Sequence, residues 1–395
     1  MMHTDQNPYA PGSGVRPPLL AGRDEELGAF DDLVSRTAAG RPGRGVVLTG
    51  LRGVGKTVLL DRMRDRASDA GWLVVELEGR SRPSGRACVR RQLAHGLALA
   101  ARRLRGRGMT SQAATALAAV RSFGVAFGWV SVDLGVEPAV GRADTGVAEI
   151  DLQETVEDLA PALTERGTAL LVVVDEVQDV DLDLLGALLT VQHRAVQRGW
   201  PFFVTAAGLP NSPAVLCDAR SYAGRMFAFR QVGPLSRTSA ESALRDPARA
   251  AGVLWDDDAA RVVLDAADGY PIHLQTFAAC AWATAVDGGT ITRADAEAGV
   301  ERGQAELDAG FFPGWWDRAS ELEQQYLRRV ARASGTAAAV ATVDAAPASA
   351  SGWASVRRSL CEKGLLFMPG PDRVALTVPR LDAFVDGQAT PDEGG

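Results

Sequence analysis

One stretch limits what this chain can fold into more than any other: Gly50-Leu51-Arg52-Gly53-Val54-Gly55-Lys56-Thr57. Before it, Gly45-Val46-Val47-Leu48-Thr49 is a short continuous apolar run, which reads as a buried strand. After it, Val58-Leu59-Leu60-Asp61-Arg62-Met63 begins an amphipathic helix. A strand running through a glycine loop into a helix N-terminus is built to hold phosphate. Glycines let successive N–H groups turn inward with no Cβ in the way. The helix start adds a partial positive charge that faces the anion. The spacing G-x-x-x-x-G-K-[ST] lets Lys56 reach β- and γ-phosphate oxygens and sets the Thr57 hydroxyl on Mg²⁺. Gly50, Gly53, Val54, Gly55, Lys56, Thr57 and Val58 are therefore the candidate nucleotide-binding residues. A plain glycine turn would explain the glycines alone. Of the 42 Lys and Arg residues, only Lys56 and Lys363 are lysines, so a compact ammonium at position 56 stands out in an arginine-rich chain.

Composition narrows the classes. A length of 395 residues suggests two or three domains, and 46% hydrophobic residues suffice for real cores. The net charge of −7 argues against a protein that coats nucleic acid but leaves room for a local basic patch. Cys88, Cys217, Cys280 and Cys361 are far apart and read as reduced thiols. His3, His95, His193 and His273 show no metal-ligand spacing. The N-terminus lacks the basic-then-apolar pattern of a signal peptide, and no apolar run reaches spanning length. The expected setting is cytoplasmic, with no membrane contact.

Along the chain, residues 1–20 are rich in Pro, Gly and polar residues and read as a flexible arm. Ala21-Gly22-Arg23-Asp24-Glu25-Glu26-Leu27 opens a helix with acidic residues in its first turn. Trp72–Leu77 reads as a second strand, and a helix follows from about Gly85 to Arg105. Arg86, Arg90, Arg91, Arg102, Arg103, Arg105 and Arg107 make that region basic, as a solvated face or a partner surface. Alternation near Ser131–Val136 suggests a hairpin inserted over 122–141. Ala169–Val174 is a continuous apolar run ending in Asp175-Glu176, at the place where open α/β sheets bind ligands. Such a pair is either an ordinary helix cap or a Walker B site. In the second case Asp175 would hold Mg²⁺ and Glu176 would polarise the attacking water. Pro201–Gly208 is the next strand and Met226–Phe229 leads into a fifth; beyond them the pattern turns helical, with Ser239 expected to cap a helix from Ala240. Over 310–385, helices and a short helix near 338–344 precede a helix capped by Ser351, then Gly364–Met368 and Arg373–Val378 form a hairpin.

The ordered set of Gly22–Leu27, Gly50–Thr57, Asp175–Asp179, Ala207–Pro210 and Gly269–Pro271 resembles the AAA+/STAND-type P-loop ATPases. Within them it is similar to proteins with an origin-recognition-like (AAA_16-type) ATP-binding domain, common in actinobacteria, and the similarity covers about 20–385. It implies an α/β fold: a three-layer P-loop NTPase core with parallel strand order 5-1-4-3-2, a helical lid and a C-terminal winged-helix domain. The expected division is an arm at 1–20, core at 21–235, lid at 236–309, winged helix at 310–385 and tail at 386–395. By the same resemblance Arg23 belongs to a box against the nucleotide base, Pro271 opens the lid helix near the phosphates, and Arg225 is the candidate finger for a neighbouring subunit. The sensor residue usual near the end of the fourth strand is displaced or missing, since Ala206, Ala207 and Gly208 stand there. ATP, ADP and Mg²⁺ are the implied ligands, with a nucleotide-dependent homo-oligomer and a DNA or protein partner through the winged helix. Arg357, Arg358 and Lys363 would lie on or beside its recognition helix. Nine basic against ten acidic residues over 311–395 leave a protein-docking role equally open. Three functions remain: a slow Mg²⁺-dependent ATPase switch, an ATP-controlled DNA-binding regulator or loader, and a nucleotide-binding pseudo-ATPase.

Overall fold

The computed structural model describes residues 6–41, 43–80, 83–105, 110–127, 134–285, 289–310, 313–317, 319–334, 343–344, 353–370, 373–377, 381 and 384–385. The chain forms two compact units. The first holds Glu25–Thr49 and Leu59–Gln231; the second holds Met1–Asp24, Gly50–Val58 and Val232–Gly395.

The first unit is built on five parallel strands: β1 (Gly45–Thr49), β2 (Leu73–Glu78), β3 (Leu170–Asp175), β4 (Phe202–Gly208) and β5 (Phe227–Gln231). Their order, β2-β3-β4-β1-β5, is the 5-1-4-3-2 order that the resemblance implies, read from the other edge. The central strands β1 and β4 are buried along their whole length, which is why they read as unbroken apolar runs. Edge strand β2 alternates instead. Register pairs Thr49 with Gly208 and Val174 with Ala206. The C-terminal ends of β1, β3 and β4 therefore share one edge of the sheet, the edge at which such sheets bind ligands.

The accompanying helices are α1 (Asp24–Ala38), α2 (Lys56–Asp69), α3 (Pro83–Arg102), α4 (Ser111–Ala126), α5 (Ala148–Glu165), α6 (Leu182–Arg198) and α7 (Ser212–Ala219). Val172 and Val204 of the sheet share one core with Leu93, Leu97, Phe123, Leu159 and Leu188. Part of the basic stretch turns out to be internal wiring. Arg90 donates to Asp181 at 2.7 Å, and Asp181 in turn caps α6 by accepting the Leu184 N–H at 3.0 Å. Among the described residues of the hairpin expected over 122–141, no strand forms. Ser122–Ala126 close α4, and Leu134–Val136 carry no strand; 128–133 lie outside the described residues. The alanine-rich run favours helix over the short alternation read downstream.

In the second unit, α8 (Arg237–Ala250), α9 (Asp257–Ala267), α10 (Pro271–Thr284) and α11 (Arg293–Gly310) enclose Leu244, Val263, Phe277 and Trp282. A two-strand parallel ladder joins β6 (Leu254–Trp255) to β7 (Thr290–Ile291). Ser236 rather than Ser239 caps α8, its hydroxyl accepting the Ser239 N–H at 3.1 Å. From Gln6 on, the N-terminal segment departs from the flexible arm that composition predicts over 1–20; residues 1–5 lie outside the described ones. Tyr9 is 5% exposed, its hydroxyl donates to the Leu244 carbonyl, and the Trp255 indole donates to it at 2.8 Å. Asn7 and Ala10 add hydrogen bonds to Ala279 and Gln275.

The C-terminal part of this unit holds α12 (Pro313–Trp316), α13 (Glu321–Ser334), α14 (Trp353–Glu362) and an antiparallel sheet of order β8-β10-β9, made of β8 (Val343–Asp344), β9 (Leu366–Gly370) and β10 (Arg373–Leu376). Tyr326, Val330, Leu360 and Leu376 share its core. The short helix expected near 338–344 is contradicted at its end, where Val343–Asp344 is a strand; 335–342, Ser351 and the tail at 386–395 lie outside the described residues. Among the described residues no helix is long and apolar enough to cross a membrane.

Candidate functional site

The phosphate-loop residues belong to the second unit. Gly53 and Gly55 have φ of +80° and +94°, conformations that only glycine takes without strain. Gly50 has no space for a side chain, since a Cβ there would meet the Val232 carbonyl oxygen at 2.2 Å. Val54 is buried and packs the loop down, while Val58 is half-buried in the first turn of α2. Lys56 is 7% exposed, and its ammonium donates to the carbonyl of Leu51 in its own loop at 2.8 Å. Thr57 is exposed. The loop thus gathers turned backbone amides, a helix N-terminus, an ammonium and a hydroxyl within eight residues, the donor set that phosphate oxygens require.

Three elements of the same unit bear on this loop. Arg23, 6% exposed, donates from Nη2 to the carbonyls of Val54 at 3.1 Å and Gly233 at 2.7 Å. It braces the loop from behind. Pro271 is the first residue of α10, and the next residue, Ile272, lies where a Cβ on Gly53 would meet its Cγ2 at 2.8 Å. The C-terminal sheet is the third element: the Arg52 N–H donates to the Thr377 carbonyl at 3.0 Å. A Cβ on Gly364 would lie 2.7 Å from the Arg52 guanidinium, so the Arg52 side chain lies against the backbone there. Thr377 closes this corner by donating from its hydroxyl to the Gly364 carbonyl at 2.6 Å. His273 is buried between the rings of Tyr270 and Phe277, as a core residue of α10.

The acidic residues belong to the first unit. Asp175 ends β3, half-buried, and its Oδ1 accepts the Glu176 N–H at 2.9 Å. Glu176 takes the left-handed conformation at φ +47°, which costs an L-residue about 1–2 kcal/mol and turns the chain sharply out of the strand. Gly79 makes this turn possible: its N–H donates to the Asp175 carbonyl at 2.9 Å, and a Cβ there would meet the Glu176 carbonyl oxygen at 2.1 Å. Gln178, which the sequence pattern left without a role, bridges two elements. Its Nε2 donates to Glu176 Oε2 at 2.5 Å, and its Oε1 accepts the Leu209 N–H at 3.0 Å just past the end of β4. Thr205 is fully buried inside β4, and Asn211 precedes α7. Arg225 is exposed, on a short turn before β5.

Known proteins agree with this architecture. Residues 19–203 match the family model of the AAA ATPase domain, and residues 309–385 match that of a domain of unknown function, DUF8462. No curated protein matches the chain. Among solved structures, it is similar to the Walker-type ATPase of Pyrococcus abyssi, with a TM-score of 0.58 and 15% identity over 94% of this chain and 97% of that one. It is also similar to the ORC2 protein of Aeropyrum pernix in its ADP form, with a TM-score of 0.51 and 15% identity over 95% of each chain. At that identity the likeness speaks for the fold: the chain has a P-loop NTPase fold, and its residues 19–203 are similar to the AAA ATPase domain.

Proposed function

We propose that this chain is an Mg²⁺-dependent ATPase whose nucleotide state sets the position of its C-terminal module. The observation that carries the switch is the hydrogen bond from the Arg52 N–H, inside the phosphate loop, to Thr377 of that module. A loop that closes on phosphate must adjust its backbone. An amide held by another module passes that adjustment on, so ligand and module bias the same two-state element.

Each residue has a stated task. The amides from Gly53 to Val58 hold phosphate oxygens, and the Lys56 ammonium exchanges the Leu51 carbonyl for a phosphate oxygen. Mg²⁺ would neutralise charge on the phosphates when bound, and the residues that would hold it are Thr57, by its hydroxyl, and Asp175, by its carboxylate through water. Glu176 accepts a proton from water as the water oxygen bonds to the γ-phosphorus. The bond to the β–γ bridging oxygen breaks, its electron pair leaves with ADP, and the proton then passes to solvent. Arg23 holds the loop from behind, within the box that the resemblance sets against the nucleotide base. Ile272, carried next to Pro271, closes on Gly53. Arg225 is exposed and is proposed as the finger for a neighbouring copy in an ATP-dependent oligomer. The C-terminal module, with α13 and α14 followed by the β9–β10 hairpin, is read as a winged helix.

Titration of Mg²⁺-ATP by calorimetry, together with phosphate release, tests the site. The unmutated chain is expected to bind and slowly hydrolyse ATP, and Lys56→Ala to lose binding. Equal affinity in the two proteins would remove Lys56 and its loop from the proposal.

A further inference from the structure

We infer that Gln178 is a positioning residue for Glu176, holding the water-activating carboxylate from the end of β4; this rests on the ATPase reading above. Strand β4 ends in Ala206, Ala207 and Gly208 and offers no polar side chain of its own at the edge where β3 presents Asp175. Gln178 reaches that place from the turn after β3. Its amide has one orientation that satisfies both neighbours. The Leu209 N–H requires an oxygen, so Oε1 faces β4 and Nε2 faces Glu176. Nε2 also lies 3.4 Å from Asp179 Oδ2, so the donor side faces two carboxylates.

The bridge is locked from the β4 side. A Cβ on Gly208 would stand 2.5 Å from Gln178 Oε1 and 2.2 Å from the Ser212 hydroxyl. Only glycine admits the carboxamide there. On the Glu176 side, the left-handed backbone at φ +47° turns the chain out of the strand direction. Gln178 holds one oxygen of the carboxylate there. A carboxamide brings no charge and does not titrate, so it can orient a proton acceptor without competing for the proton. Because its acceptor end is tied to the β4 exit, movement of that exit is passed to Glu176 through one side chain.

Single-turnover hydrolysis and ATP affinity of Gln178→Ala and Gln178→Glu test this, with Glu176→Gln as the reference for lost activation. Gln178→Glu keeps the volume and the acceptor for Leu209 but cannot donate to Glu176. Both variants are expected to hydrolyse about 10- to 100-fold more slowly, part of what a placed general base contributes. Their ATP dissociation constants should stay within about threefold of the unmutated chain, a loss in kcat without a loss in binding. Gln178→Ala within about threefold of the unmutated rate, or faster, overturns the inference. So does Gln178→Glu keeping its rate while Gln178→Ala loses it, since Gln178 would then only fill space. If the unmutated chain itself turns over no faster than Glu176→Gln, the ATPase reading falls and takes the role of Gln178 with it. Turnover in the unmutated chain that is insensitive to Gln178 removes this inference alone.

Discussion

Lys363, the other lysine of the chain, stands against the buried carboxylate of Glu323, and losing this lysine should destabilise the C-terminal module. Glu323 and Ser320 form a capping box at the start of α13: the Ser320 N–H donates to Glu323 Oε2 at 2.6 Å, and the Glu323 N–H donates to the Ser320 hydroxyl at 3.3 Å. The same carboxylate ties α13 to the end of α14. Ser359 donates to it at 2.7 Å, and the Lys363 ammonium donates to both oxygens at 2.8 and 2.7 Å. Burial of Glu323 would push its carboxyl up, but Lys363, Ser359 and Ser320 together outweigh burial and hold it down at about 2. Relative to an ordinary carboxyl at 4.5, that depression corresponds to about 3 kcal/mol of stability. A carboxyl lowered on folding stabilises above its unfolded value, and the contribution is lost as pH falls from 4.5 through about 2. Lys363→Met keeps the length of the side chain and leaves the carboxylate buried without its cation. Ser359 and Ser320 keep their share of the depression and the Lys363 side chain is 36% exposed, so the expected cost at pH 7 is about 1–3 kcal/mol. Hydrogen exchange of the α13 and α14 amides under graded urea reads the module by itself. Glu323→Gln and the double variant close a cycle that isolates the pair. A cost below about 1 kcal/mol at pH 7 would refute the reasoning, because the pair would then behave as an exposed one. A gap that stays constant from neutral pH down to pH 3 would refute it as well.

Two further perturbations follow from the packing. Tyr9→Phe removes the acceptor of the Trp255 indole and one donor to the Leu244 carbonyl, and should cost about 1–3 kcal/mol in thermal unfolding while exposing the amides near Ala10; an unchanged melting temperature would contradict the buried anchor. Gly53→Ala forces an L-residue to φ +80° and sets its Cβ 2.8 Å from Ile272, so nucleotide affinity should fall while far-UV circular dichroism is retained.

What the sequence revealed and what it concealed divide by range. The phosphate loop, β3 and the start of α10 are local patterns, a few residues in which glycine spacing, apolar runs and a helix-opening proline decide the outcome. Strand order followed from the resemblance those patterns carry. Contacts between distant residues left no local mark. Tyr9 looks like one aromatic in a Pro- and Gly-rich arm, yet its hydroxyl pairs with residues more than two hundred positions away. Gln178 is anchored by a backbone amide 31 residues downstream, and nothing beside it in sequence announces that partner. Glu176 reads as the next residue of a strand, while the carbonyl it must turn toward Gly79 lies beside the neighbouring strand's end. The start of the expected hairpin differs for another reason: the helix-forming alanines before the short alternation carry Ser111–Ala126 into α4.

Hydrogen exchange of the Gly364–Thr377 segment, followed in the nucleotide-free, ADP-bound and Mg²⁺-ATP-bound chain, tests the central claim most directly. The hydrogen bond from Arg52 to Thr377 predicts that protection of this segment changes between nucleotide states and that Lys56→Ala abolishes the change. Identical protection in all three states, with ATP demonstrably bound, would contradict a switch that runs from the phosphate loop to the C-terminal module.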